Sequence, residues 1–414
     1  MLYTILIGVF VVYWLLTWYT SRSLKALKTP WWGQGIFWTV AFLIVGNLLY
    51  YWFSRGKVVW SAPQQYAVAG LLTWIIVCLF VCIPLLLEDV LRVLRWPFRK
   101  AAKKKPYLPS RRKFVSALGW ALAAIPLSGM LYAIFKGKYN YKVLKYTLYF
   151  DDLPEEFNGY RITQISDIHC GSFDNYDKIR YGVELINAQK SDVILFTGDL
   201  VNNLADEVHQ WKELFGTLYA PDGVFSVMGN HDYGDYSSWE SAEAKQQNLE
   251  HLFSLQKEMG WQLLRNEHRY LERNGEKIVL VGVENWGHGR FSKYGDLNKA
   301  LAGVSNTDFK ILLSHDPTHW QEVVLPERKD IQLTLSGHTH GMQCGIEIPG
   351  WLRWSPSQYV YKYWAGMYEE NDQYLNVNRG FGYHAFPGRL GVWPEITVIE
   401  LKSSRQMSGI STDD

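Results

Sequence analysis

The chain of 414 residues has almost no net charge, since 42 Lys and Arg against 40 Asp and Glu give +2. Nothing in this balance requires a nucleic-acid partner. Cysteine is scarce: Cys78 and Cys82 fall within one apolar segment, and only Cys170 and Cys344 lie further downstream. The downstream pair fits either a disulfide or two small buried thiols, and we expect the thiols.

Charged residues are missing from four long segments in the first third of the chain, residues 2–20, 34–53, 66–87 and 114–135. Each segment is long enough to cross about 30 Å of hydrocarbon as a helix. Helices buried in a soluble core would carry polar faces, which these segments lack. The 19 Trp also favour a membrane, where aromatic rings sit at the interface. We therefore predict a transmembrane region of four helices over residues 1–135.

Basic residues between the third and fourth segments indicate the orientation. The loop from Arg92 to Lys113 is more densely basic than any other loop. By the positive-inside rule it is cytoplasmic, so the chain after the fourth helix lies outside. The four lysines between residues 136 and 145 are more widely spaced and favour the opposite orientation only weakly. Arg111 and Arg112, in Ser-Arg-Arg-Lys-Phe-Val just before the fourth segment, fit a twin-arginine export signal or a simple basic flank equally well.

From about Tyr160 onward the composition is that of a soluble α/β protein, and all 11 histidines lie there. Periodicity predicts helices over 175–190, 204–218 and 237–259. The predicted strands cover residues 161–166, 192–197, 223–228, 277–283, 309–313, 331–335, 373–377 and 395–401. Strands dominate near the C-terminus, which favours two stacked mixed sheets flanked by helices.

Metal-ligating side chains directly follow five of these strands, often beside glycine. The blocks are Asp167-Ile-His169, Gly198-Asp199, Gly229-Asn-His-Asp232, Ser314-His315 and Gly337-His-Thr-His340. One such block is weak evidence, but five in order are hard to obtain by chance. The nitrogen and oxygen ligands are too many for one tetrahedral zinc, and none is a thiolate. We infer a site for two divalent ions.

Together these blocks resemble the five motifs of calcineurin-like metallophosphoesterases, over about Tyr160 to Leu401. The flanking sequence is similar to the bacterial membrane-associated branch of that family. The resemblance implies an α/β fold, a four-layer αββα sandwich of two mixed sheets, over residues 159–403. Residues 136–158 would then form a juxtamembrane linker or strand, and 404–414 a polar tail. Met342 departs from the branch, which more often has a glycine there, and this puts the local loop shape in question.

The resemblance also implies residue roles. Asp167, His169 and His340 would hold one ion, Asn230, His315 and His338 the other, and Asp199 would bridge them. We expect Mn²⁺, with Fe, Zn or Mg as alternatives, and in-line attack by a hydroxide formed from a water shared by both ions. His231, held by Asp232, would be catalytic, the alternatives being a ligand or a packing residue.

Other residues are assigned on weaker grounds. Arg379, His384 and Arg389 are candidates for phosphate binding, with surface or turn roles as the alternative. The aromatic segment from Trp351 to Trp364 could grip an acyl chain or enter the bilayer surface, although core packing is the simpler interpretation.

These observations predict a membrane-anchored phosphoesterase of the bacterial inner membrane, with its catalytic domain on the periplasmic or extracellular side. The expected substrate is a phosphate ester or pyrophosphate, lipid-linked because the catalytic region follows the last helix closely. The alternatives are a hydrolase of UDP-2,3-diacylglucosamine in lipid A synthesis, which would act on the cytoplasmic side, and a non-catalytic membrane scaffold. Membrane lipids and, if the export signal is real, the twin-arginine machinery are the expected partners.

Overall fold

The computed structural model describes residues 2–54, 61–101, 109–289, 291–348 and 351–404. The chain divides after Ile134 into two compact units, which are treated one at a time. Residues 102–108 of the predicted basic loop and residues 405–414 of the predicted tail lie outside the described residues.

The first unit contains the four predicted helices: α1 Leu2–Ala26, α2 Trp31–Ser54, α3 Ala62–Ala101 and α4 Pro109–Phe135. Each extends beyond its uncharged segment, because the helix continues into polar flanking residues. Among the described residues, three spans are long and apolar enough to cross a membrane: Trp31–Tyr51, Ala62–Arg95 and Ser110–Tyr139.

One arginine of the predicted export signal has partners inside this unit. The guanidinium of Arg112 lies 2.8 Å from Glu88 and 3.1 Å from Asp89. A charge buried among apolar helices requires such pairing. This contact gives Arg112 a structural role, and its role in export stays a prediction.

The second unit consists of two six-stranded sheets with helices outside them. The first sheet has the order β1-β14-β2-β3-β4-β5 and the second β12-β13-β9-β8-β7-β6. The strands are β1 Lys142–Phe150, β2 Arg161–Ile165, β3 Val193–Phe196, β4 Val224–Ser226, β5 Trp261–Leu263, β6 Glu267–Arg273, β7 Glu276–Gly282, β8 Lys310–Leu313, β9 Leu333–Ser336, β10 Ile346–Ile348, β11 Leu352–Trp354, β12 Gly366–Glu370, β13 Gln373–Val377 and β14 Glu395–Ser403. The α-helices are α5 Tyr176–Asn187, α6 Lys212–Phe215, α7 Ala242–Glu258, α8 Leu297–Ala300 and α9 Leu325–Glu327. Strands β10 and β11 form a separate hairpin.

Alternation of apolar side chains explains the layers. In β3, Leu195 points into a core shared by both sheets, and Ile194 points into the core beneath α5 and α7. In β8, Ile311 joins the shared core and Leu312 packs outward with Trp320. Strand side chains alternate between faces, so each sheet buries both faces. The result is the four-layer αββα sandwich expected from the resemblance.

Two helix predictions were inexact, whereas the strand expected in the juxtamembrane linker is present. The helix predicted over 204–218 is replaced by a 3₁₀ turn, Ala205–Val208, and the short α6. The helix predicted over 237–259 begins only at Ala242, where the Ser241 side chain accepts the N–H of Ala244. The strand expected in the juxtamembrane linker, β1, pairs with β14 along nine residues and is the edge of the first sheet.

Candidate metal centre

The predicted ligands come together because parallel strands of both sheets end at the same edge. Strands β2, β3 and β4 run parallel in the first sheet, as do β8 and β9 in the second. The five motif blocks follow these five strands directly. Side chains at the carboxyl ends of parallel strands share one cleft.

Backbone strain is concentrated in these loops. Five of the seven predicted ligands have left-handed backbone angles, with φ of 50° at Asp167, 51° at His169, 62° at Asp199, 72° at His338 and 49° at His340. L-residues rarely adopt this conformation, and it is retained mainly where function requires it. The strain therefore marks the same loops that the motifs mark.

A first group consists of Asp167, His169 and His340. His169 Nε2 lies 3.0 Å from His340 Nε2, which in turn lies 3.2 Å from Asp167 Oδ1. The absence of a side chain at Gly337 lets its loop lie close to Asp167, because a Cβ at position 337 would be 2.3 Å from Asp167 Oδ2. These three residues can offer one ligand atom each to a single ion.

A second group consists of Asp199, His315 and His338. His315 Nε2 is 3.1 Å from Asp199 Oδ2, and His338 Nδ1 is 2.8 Å from the side-chain oxygen of Asn230. His169 Nε2 lies 3.6 Å from the same Asp199 oxygen. Asp199 thus contacts a histidine of each group, as a bridging ligand would.

The carboxylates and imidazoles of the centre shift one another's pKa values. Burial alone would raise the pKa of Asp199, but His315 and His231 outweigh it and hold that pKa well below its usual value. Burial would lower the pKa of His315, yet Asp199 and Asp167 raise it. An imidazole must be neutral to bind a metal, so an ion would displace the proton that Asp199 now stabilises on His315.

The donor set fits two divalent ions. The two carboxylates and four imidazoles are buried or nearly so. The facing atoms of Asp167, His169, Asp199, His315 and His340 lie 3.0–3.6 Å apart, the separation of atoms that share a metal. The remaining nitrogen of His315 lies 2.7 Å from the carbonyl of Thr197, and that of His169 lies 3.1 Å from Asn202 Oδ1. These contacts aim the other nitrogen of each ring into the cleft.

The expectation that Asp232 holds His231 is wrong. The Asp232 carboxylate instead accepts backbone N–H groups from Asp199, Leu200, Val201 and Gly229. The partner of His231 is the carbonyl oxygen of Asn202, 2.8 Å from Nδ1. Asp232 therefore shapes the loops that follow β3 and β4, and His231 is oriented from elsewhere.

Of the candidate phosphate ligands, the structure brings one to the open side of the centre. His384 is partly exposed and stacks on His169, with ring centroids 4.6 Å apart. Arg379 is buried and held by Glu395 and by Glu347, the latter at 3.0 Å. These carboxylates accept from the guanidinium N–H groups that a phosphate would need. The prediction that Arg379 binds phosphate is therefore contradicted.

Arg389 also has contacts that differ from the predicted role of phosphate binding. Its side chain is fully buried, donates to the carbonyl of Gly382 and lies 3.2 Å from His340 Nδ1. Burial lowers its pKa to about 10. The guanidinium packs behind the first ligand group, where it orients His340.

Sequence reasoning missed three residues of the centre. Asn202 contacts His169, His231 and His384 through its side chain or carbonyl. The hydroxyl of Tyr361 lies 2.9 Å from His338 Nε2, and that of Tyr236 accepts from Asn230 at 2.9 Å. Two signals were available: Asn202 lies three residues past Asp199 in a loop, and Tyr361 lies in the aromatic segment after the metal motif.

The aromatic segment after the metal motif is half buried and half exposed. Tyr363 and Trp364 are buried, in agreement with core packing, whereas Trp351 is 79% and Tyr359 76% exposed. The β10–β11 hairpin separates its faces: Glu347 and Arg353 pair on one side, and Ile346, Ile348, Leu352 and Trp354 lie on the other. The polar side is anchored through Glu347 to Arg379, so the apolar side is left exposed.

The two downstream cysteines and Met342 were also the subject of predictions. Cys170 and Cys344 are free thiols, and the expectation of burial holds for Cys170 but not for the exposed Cys344. Met342, the departure from the branch, has a left-handed φ of 48°. Glycine adopts that conformation without strain, which explains why the branch prefers it there.

Comparison with known proteins gives matches over both units. The family model described as "Calcineurin-like phosphoesterase" matches residues 160–342, and one described as "Probable Calcineurin-like phosphoesterase, transmembrane domain" matches residues 3–138. An uncharacterized metallophosphoesterase of Bacillus subtilis, YkuE, is 32% identical over 71% of this chain and 98% of its own length. A zebrafish (Danio rerio) transmembrane protein with a metallophosphoesterase domain is 31% identical over 64% of this chain and 58% of its own. The UDP-2,3-diacylglucosamine pyrophosphatase LpxG of Chlamydia trachomatis is 27% identical over 48% of this chain and 69% of its own.

Proposed function

Since the chain belongs to the calcineurin-like metallophosphoesterase family, and is thereby a metal-dependent phosphoric ester hydrolase, we propose that it cleaves a phosphate ester or pyrophosphate in a lipid-linked substrate. The apolar face of the β10–β11 hairpin is the observation that favours a lipid. Ile346, Ile348 and Leu352 are each 39–48% exposed, and Trp351 at the hairpin's tip is 79% exposed. Contiguous exposed apolar side chains of this kind mark binding surfaces for apolar partners.

The hairpin is connected to the centre by the chain itself. Residues His338 to Gln343 of the metal loop run directly into β10, and Tyr361, which follows β11, contacts His338. A substrate with its phosphate at the histidines would therefore have its apolar part beside the hairpin. Such a surface resembles other ligand sites, in which apolar walls surround a few polar groups.

We assign Asp167, His169 and His340 to one ion and Asn230, His315 and His338 to the other, with Asp199 between them. The distances within the two groups support this assignment. Two bound divalent ions would polarise the phosphoryl group and lower the pKa of a bound water. Mn²⁺ is our first choice and Fe, Zn or Mg are alternatives, because nitrogen and oxygen donors suit all of these to different degrees.

The role proposed for His231 is proton transfer to the leaving oxygen. A carbonyl oxygen can only accept, so the contact with Asn202 fixes one proton on Nδ1, and the proton transferred would be a second one that Nε2 takes up before the leaving oxygen departs. His384 stacks on His169 and meets His231 edge to face, which supports a position for it beside the bound phosphate. The protein's own groups thus orient the substrate and move the proton.

We propose that the enzyme domain lies on the outer side of a bacterial inner membrane, because the basic loop from Arg92 to Lys113 stays cytoplasmic. The alternative is a hydrolase like the UDP-2,3-diacylglucosamine pyrophosphatase, to which the chain is similar. That reaction would use a nucleotide-linked lipid from the cytoplasmic side. A reporter that is active only in the cytoplasm, fused after β14, should be inactive; an active fusion would favour the alternative.

The substrate class can be tested with the full chain in detergent. We would measure kcat/KM for a lipid phosphate and for its short-chain analogue in wild type, in Trp351→Ala/Leu352→Ala and in Tyr219→Ala. Tyr219 is 74% exposed and precedes β4, at the opposite edge from the strand ends, so it is the matched control. Losing two apolar contacts should lower the lipid value about tenfold or more, with the short-chain value unchanged. Equal values for both substrates in all three proteins would eliminate the lipid proposal while leaving the hydrolase intact.

A panel of phosphomonoesters, phosphodiesters and pyrophosphates would define the bond that is cleaved. The non-catalytic scaffold is disfavoured, because a degenerate centre would be expected to lack one of its carboxylates or histidines. The clustering of the predicted carboxylates and histidines in the described part of the chain supports a catalytic protein over a scaffold.

A further inference from the structure

A second cluster of metal-ligating side chains lies apart from the candidate centre. It consists of Asp206 and His209, at the 3₁₀ turn Ala205–Val208, and of His251 on α7. Asp206 and His209 are exposed and His251 is partly exposed, with 80%, 52% and 39% of their side-chain surfaces accessible. Neither the motifs nor the reaction proposed above uses any of them.

The three ligand atoms form a nearly equilateral triangle. His209 Nε2 is 3.1 Å from His251 Nε2, and Asp206 Oδ1 is 3.4 Å from the first nitrogen and 3.6 Å from the second. Bonds of roughly 2.0–2.2 Å at tetrahedral angles place the ligands of a zinc ion about 3.3 Å apart. The triangle therefore has the size of one face of a zinc coordination tetrahedron.

A hydrogen bond between the two imidazoles accounts for one side of this triangle only. One shared proton can lie between the two nitrogens, while both nitrogens also face the same carboxylate oxygen. A single cation bound to all three atoms, just outside their plane, accounts for all three distances at once.

The scaffold holds these ligands in position from two separate elements. The backbone N–H of Ala205 donates to the side chain of Asn248, one turn before His251, at 2.9 Å. The Glu207 carboxylate accepts the N–H groups of Asn203 and Leu204, which fixes the start of the turn. Preorganised ligands lose little conformational freedom on binding.

We propose that Asp206, His209 and His251 form a third metal site, which takes a zinc-like divalent ion with three protein ligands and an open fourth position. Two imidazoles and one carboxylate suit Zn²⁺ better than Mg²⁺ or Ca²⁺, which prefer oxygen ligands. The ion clamps the 3₁₀ turn to α7. The same turn begins three residues after Asn202, whose contacts reach His169 and His231, so the clamp steadies the loop that supports the centre.

The experiment uses the full chain in detergent, without a histidine tag, with the centre preloaded with Mn²⁺ and free metal removed. Zn²⁺ is titrated calorimetrically into wild type, into His209→Ala/His251→Ala and into Glu250→Gln. Glu250 is an exposed carboxylate beside His251 on the same helix, so its substitution is the matched control. Exchange of Zn²⁺ for Mn²⁺ in the centre would be common to all three proteins, and their difference reports the new site.

Wild type and Glu250→Gln should bind one Zn²⁺ more per chain than the double variant does. Removing ligands should weaken binding at least about 100-fold, since loss of mere supporting contacts already costs 10- to 100-fold. The thermal unfolding midpoint should rise with Zn²⁺ in the first two proteins only. If the double variant fails to fold, Asp206→Asn should still bind Zn²⁺ at least about tenfold more weakly. Equal Zn²⁺ stoichiometry and affinity in wild type and the variants would overturn the proposal.

Discussion

The carboxylate of Asp199 joins the metal centre to the backbone of His231. Its Oδ1 accepts the N–H of His231 at 2.9 Å, while its Oδ2 lies 3.1 Å from His315 Nε2. The residue proposed to bridge the two ions therefore also fixes the loop that carries the proposed proton donor.

Replacing Asp199 with Asn should remove both metal binding and hydrolysis, because each ion loses a charged ligand. Elemental analysis should show a loss of bound metal in parallel with the loss of turnover. Full activity with two ions still bound in Asp199→Asn would refute the two-metal assignment.

Replacing His231 with Ala should slow turnover by about 10²- to 10⁴-fold, the usual contribution of one general acid. The bound metal should be retained, since His231 is assigned no ion. His231 also belongs to a third group of possible ligands, with His169 and His384. Loss of metal in His231→Ala would therefore show that it is a ligand.

Asp232 should be far more important for stability than its expected catalytic role implied. Asp232→Ala leaves four buried N–H groups without their acceptor, and each such group costs about 1–3 kcal/mol. We expect a large fall in the thermal unfolding midpoint, and almost none for Asp177→Ala, whose carboxylate is 80% exposed. Unchanged stability combined with lost turnover would instead restore the catalytic role.

His319 should make stability depend on acidity between pH 6.5 and about 4. Its ring is fully buried and stacks on Trp286, and burial lowers its pKa from 6.5 to about 4. Between these values the unfolded chain binds a proton that the folded chain does not. Stability is therefore complete above pH 6.5 and falls by about 1.4 kcal/mol per pH unit as the pH drops towards 4.

The variant His319→Asn lacks this titration and should lose less stability on acidification. Thermal unfolding midpoints of both proteins from pH 7.5 to 4.5 provide the measurement. Other histidines titrate in the same range, so the difference between the two curves is the informative quantity. Parallel curves would mean that the folded protein protonates His319 as readily as the unfolded chain does.

The sequence was most informative at the ends of strands, where the metal-ligating residues lie. An apolar run followed by Asp, Asn or His was sufficient to place Asp167, Asp199 and His315, since each follows its strand directly. The layers followed from the same runs, because alternation along β3 and β8 fixes both faces.

Long-range contacts were beyond that reasoning. Arg379 is neutralised by Glu347, 32 residues away on a hairpin whose strands have only three residues each, too short for a periodicity signal. The predicted helix over 204–218 is interrupted between the 3₁₀ turn Ala205–Val208 and α6, although Glu207 accepts the N–H groups of Asn203 and Leu204 at the start of that turn, as in a capping box. Asn202 has no regular element to mark it, and its three histidine contacts arise only from the folded loops.

The pairing of β1 with β14 restricts the order in which the domain can form. Strand β14 lies between β1 and β2, so these first two strands of the domain do not meet each other, and they meet their shared neighbour only after residues 395–403 are synthesised. Contacts of such large sequence separation form slowly. The sheet that supports the metal loops therefore joins β1 to β2 only after residues 395–403 leave the ribosome, and in a nascent chain without them the facing edges of β1 and β2 stay unpaired.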